Sequence, residues 1–218
     1  MNREEFLKSE KDKYGKIYVD LTYAIDNIGP FIEKDKLDQR KYVNKLPVLK
    51  KYIDLLEAAE RETSKKGGLL GLFKDDNTVD LLNSYKKDNI ETFNQLEHCK
   101  NCVYINCAHN HDKFDGCLGC RPNSRIAYCD HDKINVTLHD NWNLRLNNDN
   151  TGEVDNFKVL ATLHDVEREQ KYIILHNRRT DEKFVLYYVP GISDDSYGEI
   201  SDPEEFDFVV STYQNVAE

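Results

Sequence analysis

Cysteine and histidine crowd into one short stretch of this chain. All six cysteines fall there, at Cys99, Cys102, Cys107, Cys117, Cys120 and Cys129, with His98, His109, His111 and His131 interleaved. Thiolate and imidazole are the donors a tetrahedral zinc ion prefers. The two Cys-x-x-Cys pairs, Cys99/Cys102 and Cys117/Cys120, have the spacing in which a tight turn aims both sulfurs at one ion. Four donors complete such a site, and the stretch offers more than four. In one arrangement Cys99, Cys102, Cys117 and Cys120 close a first site, and Cys107, His109 or His111, Cys129 and His131 close a second, interleaved one. In the other, a single four-cysteine site is complete and the remaining residues are its periphery. The cofactor expected is therefore one or two zinc ions. An iron–sulfur cluster on four of the cysteines is the alternative, and the interleaved histidines weigh against it.

Known zinc patterns fit imperfectly. The order of pairs resembles a RING-type cross-brace, but only four residues separate Cys102 from Cys107, and His109 to Cys117 is too long. The six-cysteine spacing also resembles the fungal binuclear cluster, which carries basic residues to meet phosphates. Here only Lys100, Lys113, Arg121 and Arg125 are present. An HNH-type nuclease has no room for its hairpin and helix, and a zinc deaminase needs His-x-Glu where this chain has His109-Asn110-His111. His139-Asp140 and His164-Asp165 form a repeated pair, with His176 further on. No nucleophile in a glycine-flanked turn accompanies them, so they read as polar residues at strand ends.

The elements that must position these donors fall into three zones: 1–97, 98–131 and 132–218. In the first, Ile17, Leu21, Ala24, Ile25, Ile28, Phe31 and Ile32 recur at three and four, one face of a helix that Gly29-Pro30 interrupts. A second helix starts near Pro47, with Leu49, Ile53 and Leu56 as its stripe. A third, long helix is predicted from Asn77 or Thr78, carrying Val79, Leu82, Tyr85, Phe93 and Leu96. Between them, residues 64–74 read as a glycine-rich connector with an apolar tip, without the Gly-Lys-Ser/Thr ending of a phosphate loop. These helices predict a small antiparallel bundle or hairpin. In the last zone the period falls to two, with strands predicted over 134–138, 142–146, 157–163, 171–176 and 183–189. Pro203 with Glu204 and Glu205 starts a terminal helix whose Phe206, Val209, Val210 and Tyr213 are expected to pack on an antiparallel sheet. The fold class is α+β: N-terminal helices, a central zinc-knuckle module, and a C-terminal antiparallel sheet with a terminal helix.

Charge separates the zones as sharply as periodicity does. Residues 1–98 hold 18 Lys/Arg against 19 Asp/Glu, 99–131 hold 4 against 3, and 132–218 hold 8 against 18. No basic side chain follows Lys183, while Asp194, Asp195, Glu199, Asp202, Glu204, Glu205 and Asp207 crowd together. Such a surface repels nucleic-acid backbones and suits a protein partner with a basic surface. No apolar run approaches the roughly 20 residues of a membrane span, and residues 1–6 have no signal-type apolar segment. A cytoplasmic location is the expectation, in which reduced thiols favour metal over disulfides.

A Val-Leu-Ala-Thr-Leu strand, then Lys171-Tyr172-Ile173-Ile174-Leu175, the aromatic strand 184–189, an acidic loop and Pro203-Glu204-Glu205-Phe206-Asp207-Phe208 follow one another in that order. Over about 157–215, this order resembles the small acidic YrzB-like domain of Firmicutes. The resemblance implies an acidic domain and brings no catalytic residues. The functional expectation is a non-enzymatic cytosolic interaction or adaptor protein of bacterial or phage origin, with zinc fixing the central module. The alternatives are a zinc-dependent hydrolase or nuclease with an open position at His109, His111 or His131, and a thiol-based redox sensor.

Overall fold

The computed structural model describes residues 2–64, 77–109, 113–114, 116–147, 152 and 154–217. All of the predicted connector at 64–74 except Ser64 lies outside them. The chain divides into two compact units, Met1–Lys100 and Asn101–Glu218.

The first unit is helical. Helix α1 (Arg3–Ile28) opens on a capping box, in which the Asn2 side chain accepts from the Glu5 amide at 2.8 Å and the Asn2 amide donates to Glu5 at 3.1 Å. Buried Phe6, Leu7 and Tyr14 extend the apolar face well before Ile17. The helix stops at Ile28, and Gly29–Phe31 form a single 3-10 turn, the interruption expected where Pro30 has no amide to donate. A short α2 (Lys34–Asp38) leads to α3 (Leu46–Ser64), which has Pro47 in its first turn. The long third helix is in fact two, α4 (Thr78–Asp88) and α5 (Ile90–Lys100). Asn89 leaves helical geometry at φ −117° and ψ 21°, and its side chain donates to the Tyr85 carbonyl at 2.8 Å, ending the helix there.

Helices α1 and α3 run antiparallel, since Arg3 reaches the Ala59 carbonyl while Tyr14 meets Tyr52. Tyr14, Tyr52 and Phe93 meet edge to face, with ring centroids 5.0–5.5 Å apart. Leu21, Leu49, Leu56, Leu82 and Leu96 are buried in the same unit. The tyrosine hydroxyls find carboxylates: Tyr52 donates to Glu10 at 2.6 Å and Tyr14 to Glu97 at 3.2 Å.

The second unit is an antiparallel sheet with a terminal helix. Its strands are β1 (Ser124–Cys129), β2 (Ile134–His139), β3 (Asn143–Asn147), β4 (Val154–Asp165), β5 (Gln170–Asn177), β6 (Lys183–Val189) and β7 (Ser196–Glu199). They lie in the order β1-β2-β4-β5-β6-β7, with β3 beside the first half of β4. A four-residue helix, α6 (Gly116–Gly119), precedes the sheet, and α7 (Pro203–Ala217) follows it. The five strands read from the sequence are present, and β1 and β7 add to them. A register shift between Ile126 and Tyr128 breaks the alternation that would have marked β1. Gly198 weakens the pattern of β7.

Helix α7 covers one face of the sheet. Val209 is buried with Val136, Ala161, Leu163, Tyr172 and Ile174, and Phe208, Tyr213 and Val216 pack against them. Phe206, expected in this contact, is 39% exposed, and Phe208 packs instead. Glu205, Val209, Tyr213 and Val216 share one helical stripe, and Phe206 falls beside it. Glu205 is itself buried and accepts from the hydroxyls of Tyr172 at 2.6 Å and Tyr187 at 2.7 Å. Glu205→Ala leaves both hydroxyls without this acceptor, and a loss of roughly 2–3 kcal/mol is expected. Urea denaturation checks it, with Glu205→Gln retaining most of the stability.

Candidate functional site

Cys99 lies in the last turn of α5, buried, its sulfur accepting from Gln95 Nε2 at 3.3 Å. The other donors belong to the second unit. Cys102 is the residue before a 3-10 turn over Val103–Asn106, and Cys107 is the residue after it. Cys117 sits in α6, Cys120 just beyond it, and Cys129 ends β1. His111 lies outside the described residues.

Two neighbourhoods result. Burial pushes the Cys102 thiol up to about 11, against the opposing effect of the Tyr104 and Ile126 amides, and charge on Cys120 and Cys117 adds to the rise. These three sulfurs therefore share one electrostatic environment. Cys120 also meets Ser124 Oγ at 3.1 Å. The second neighbourhood joins residues far apart in the chain. Cys107 Sγ is 3.7 Å from His131 Nδ1, the His131 amide donates to Cys129 Sγ at 3.3 Å, and the His109 and His131 rings stack with centroids 4.7 Å apart. His131 has φ 68°, an unusual conformation for a residue with a side chain. The turn that holds it is secured by Asp130, whose Oδ1 accepts from the amides of Asp132, Lys133 and Ile134. Tyr104 lies between the strand and the turn, with its hydroxyl 3.2 Å from Cys129 Sγ.

Among the described residues, no three Cys, His, Asp or Glu side chains converge as a closed ligand set. Burial raises the thiols of both Cys102 and Cys129, and amides from two residues further on oppose that rise. Thiolate and imidazole are donor types that zinc takes, and the chain brings Cys107, Cys129 and His131 near one another from separate turns.

Three further histidines belong to the sheet. His176 Nε2 is 2.6 Å from Asp181 in the β5–β6 turn, and His164 meets Phe114 edge to face. Asp165, fully buried, accepts from the Glu167 and Arg168 amides and closes the β4–β5 turn. His139 is different. It is buried at the end of β2, with Nε2 2.9 Å from Thr162 Oγ1, and its Nδ1 has no hydrogen-bond partner. Burial, reinforced by the nearby Arg121 charge, lowers its pKa to about 4. An unfolded His139 titrates near 6.5, so between those values the unfolded chain binds the extra proton. The neutral ring's contribution is complete above about pH 6.5 and lost as pH falls toward 4, roughly 3 kcal/mol in all. His139→Gln is expected to flatten this acid loss in melting curves taken from pH 7 to 4.

His139 lines a polar cavity that no metal-donor or nucleophile pattern marks. Its signal was present in the period-two pattern: Asn135, Thr137 and His139 are the alternate positions of β2 opposite the apolar Ile134 and Val136. No protein-family model matches the chain, and neither a curated protein nor a solved structure does.

Proposed function

We propose that this protein is a non-catalytic, cytosolic interaction protein whose cysteine-rich segment is stapled by zinc and whose acidic C-terminal part meets a basic protein surface. The approach of Cys107 and His131 carries the staple. Two ligands of one tetrahedral zinc, a sulfur about 2.3 Å and a nitrogen about 2.0 Å from the ion, stand about 3.5 Å apart. Cys107 Sγ and His131 Nδ1, 24 residues apart in the chain, are 3.7 Å apart. On this reading Cys107, Cys129 and His131, with His109 as the fourth donor, hold one ion, and Cys102, Cys117 and Cys120 serve the other. Closed sites of this kind supply folding energy and leave no position for substrate.

The acidic surface supports the interaction role. Asp194, Glu199, Asp202, Glu204 and Asp207 are exposed, and so are Ile192 and Phe206 within the same stretch. Apolar side chains set among carboxylates suit a partner presenting lysine or arginine beside apolar groups. X-ray absorption on the purified protein is expected to give zinc in a four-coordinate sulfur/nitrogen shell; a coordinated water argues instead for a catalytic metal. Replacing Asp194, Asp202, Glu204 and Asp207 with their amides is expected to weaken partner binding and its salt dependence while zinc content stays unchanged. Binding that persists with the same salt dependence overturns the acidic-surface reading.

A further inference from the structure

The edges of the sheet are not alike. A strand with one neighbour offers main-chain N–H and C=O groups to any extended chain, and folded proteins blunt such edges with bulges, basic side chains, prolines or a covering element. Strand β1 is terminal on one side and is blunted: its register shifts between Ile126 and Tyr128, it carries Arg125, and the 103–106 turn lies against it. Strand β3 has the exposed Arg145 at its centre. Strand β7, terminal on the other side, has none of these devices. Ser196-Tyr197-Gly198-Glu199 holds no basic residue and no proline, and it pairs with β6 without a register shift. Among the described residues no strand lies on its outer side.

In an antiparallel ladder, alternate residues of an edge strand turn both main-chain groups away from their neighbour. The four residues of β7 therefore offer about four hydrogen bonds to an added strand. Among the described residues these outward groups meet no other main-chain partner. Apolar surface adjoins them: Tyr197 stacks on Tyr188 with centroids 5.9 Å apart, and the connection that leads into β7 exposes Val189 and Ile192. Charge decides the occupant. Asp194, Glu199, Asp202 and Glu204 are exposed along and beside the strand, and no basic side chain follows Lys183. A second copy on this edge brings two sets of carboxylates together, whereas lysine or arginine on the added strand meets them.

We infer that β7 is a docking edge, on which an extended, lysine- or arginine-bearing segment of a partner protein adds to the seven-stranded sheet as a further strand. The partner's charge rests on the acidic-surface reading above; the zinc staple is not involved. Because so short an edge makes few hydrogen bonds, charge supplies much of the binding, which makes it salt-sensitive.

The test uses the unaltered full-length protein and a short, capped peptide of alternating lysine and valine, at low and constant ionic strength. Saturable binding is expected, with amide exchange at alternate positions of 196–199 slowed about tenfold and exchange in β1 unchanged. The same peptide methylated at every main-chain nitrogen keeps its charge and side chains but has no amide to donate. It is expected to bind at least about tenfold more weakly and to leave exchange in β7 unaltered. Equal binding of the two peptides, or saturable binding without slower exchange in β7, overturns strand addition. The acidic-surface reading then stands by itself if replacing Asp194, Asp202, Glu204 and Asp207 with their amides still weakens that binding. Slower exchange in β7 with binding indifferent to those replacements overturns the acidic-surface reading, and the basic partner with it. Exchange in β7 that slows with protein concentration alone assigns the edge to a second copy and overturns the inference. So does the absence of saturable binding.

Discussion

If zinc staples the cysteine-rich segment as proposed, its removal by a chelator is expected to lower the melting temperature of the Asn101–Glu218 unit by about 10–25 °C, equivalent to roughly 3–5 kcal/mol. In isolated zinc fingers the metal supplies the whole folding free energy, about 10–16 kcal/mol. The loss here is smaller because the sheet keeps its own core, with Val136, Ala161, Leu163, Tyr172, Ile174 and Val209 buried without any thiol among them. On the proposed reading, what depends on the metal is the segment before β2. Its apolar content is slight: Tyr104, Cys107 and Ile126 form its buried cluster, with Cys102 and Cys129 packed beside them. Hydrogen exchange is therefore expected to accelerate in β1 and the 103–106 turn on chelation, and much less in β4 and β5. Cys107→Ser and Cys120→Ser are each expected to reproduce a large part of the loss. Combining either with chelation adds less than the sum, because the ligands act as a unit. Unchanged melting and exchange after complete metal removal would end the staple reading.

Phe93→Ala is expected to destabilise the helical unit by about 3–5 kcal/mol, enough to unfold a marginal domain. The ring is 1% exposed and contacts both Tyr14 and Tyr52. Neither tyrosine can collapse freely into the space left behind, because each hydroxyl is tied to a carboxylate, Tyr14 to Glu97 and Tyr52 to Glu10. The void therefore remains, and the edge-to-face contacts, worth about 0.5–1.5 kcal/mol each, are lost with it. Phe93→Leu, which fills most of the volume, is expected to recover more than half of the loss. Chemical denaturation followed by helical circular dichroism measures both. A Phe93→Ala midpoint within error of the parent would mean that the aromatic trio is not the core of this unit.

Phe93 was legible in the sequence because its neighbours Leu82 and Leu96 recur at helical spacing and all three are buried. The break at Asn89 was not. A helix-ending asparagine is recognisable only when its side chain turns back to a carbonyl, as it does to Tyr85. Strand β1 was hidden by the residues that drew attention to its region, since Cys129 was read as a ligand and not also as the end of a strand. Phe206 and Phe208 differ by a rotation of about 200° around a helix axis, and which of them meets the sheet depends on how Glu205 is anchored.

The sequence by itself determined the local and additive properties of this protein: the helix-to-strand change of period, the acidic charge of the last 87 residues, and a supply of zinc-type donors in one short stretch. Each of these depends on residues within a few positions of one another. Only the tertiary structure decided which donors meet. Cys107 faces His131 across 24 residues because a left-handed turn after β1 returns the chain beside the 3-10 turn. The cavity was decided at the same level. Thr137 and Thr162, or His164 and Lys171, become neighbours only through antiparallel register, and register is set by which faces of distant strands are buried together. Spacing along a chain names the ligands a metal could take; packing between strands selects the set that can reach it.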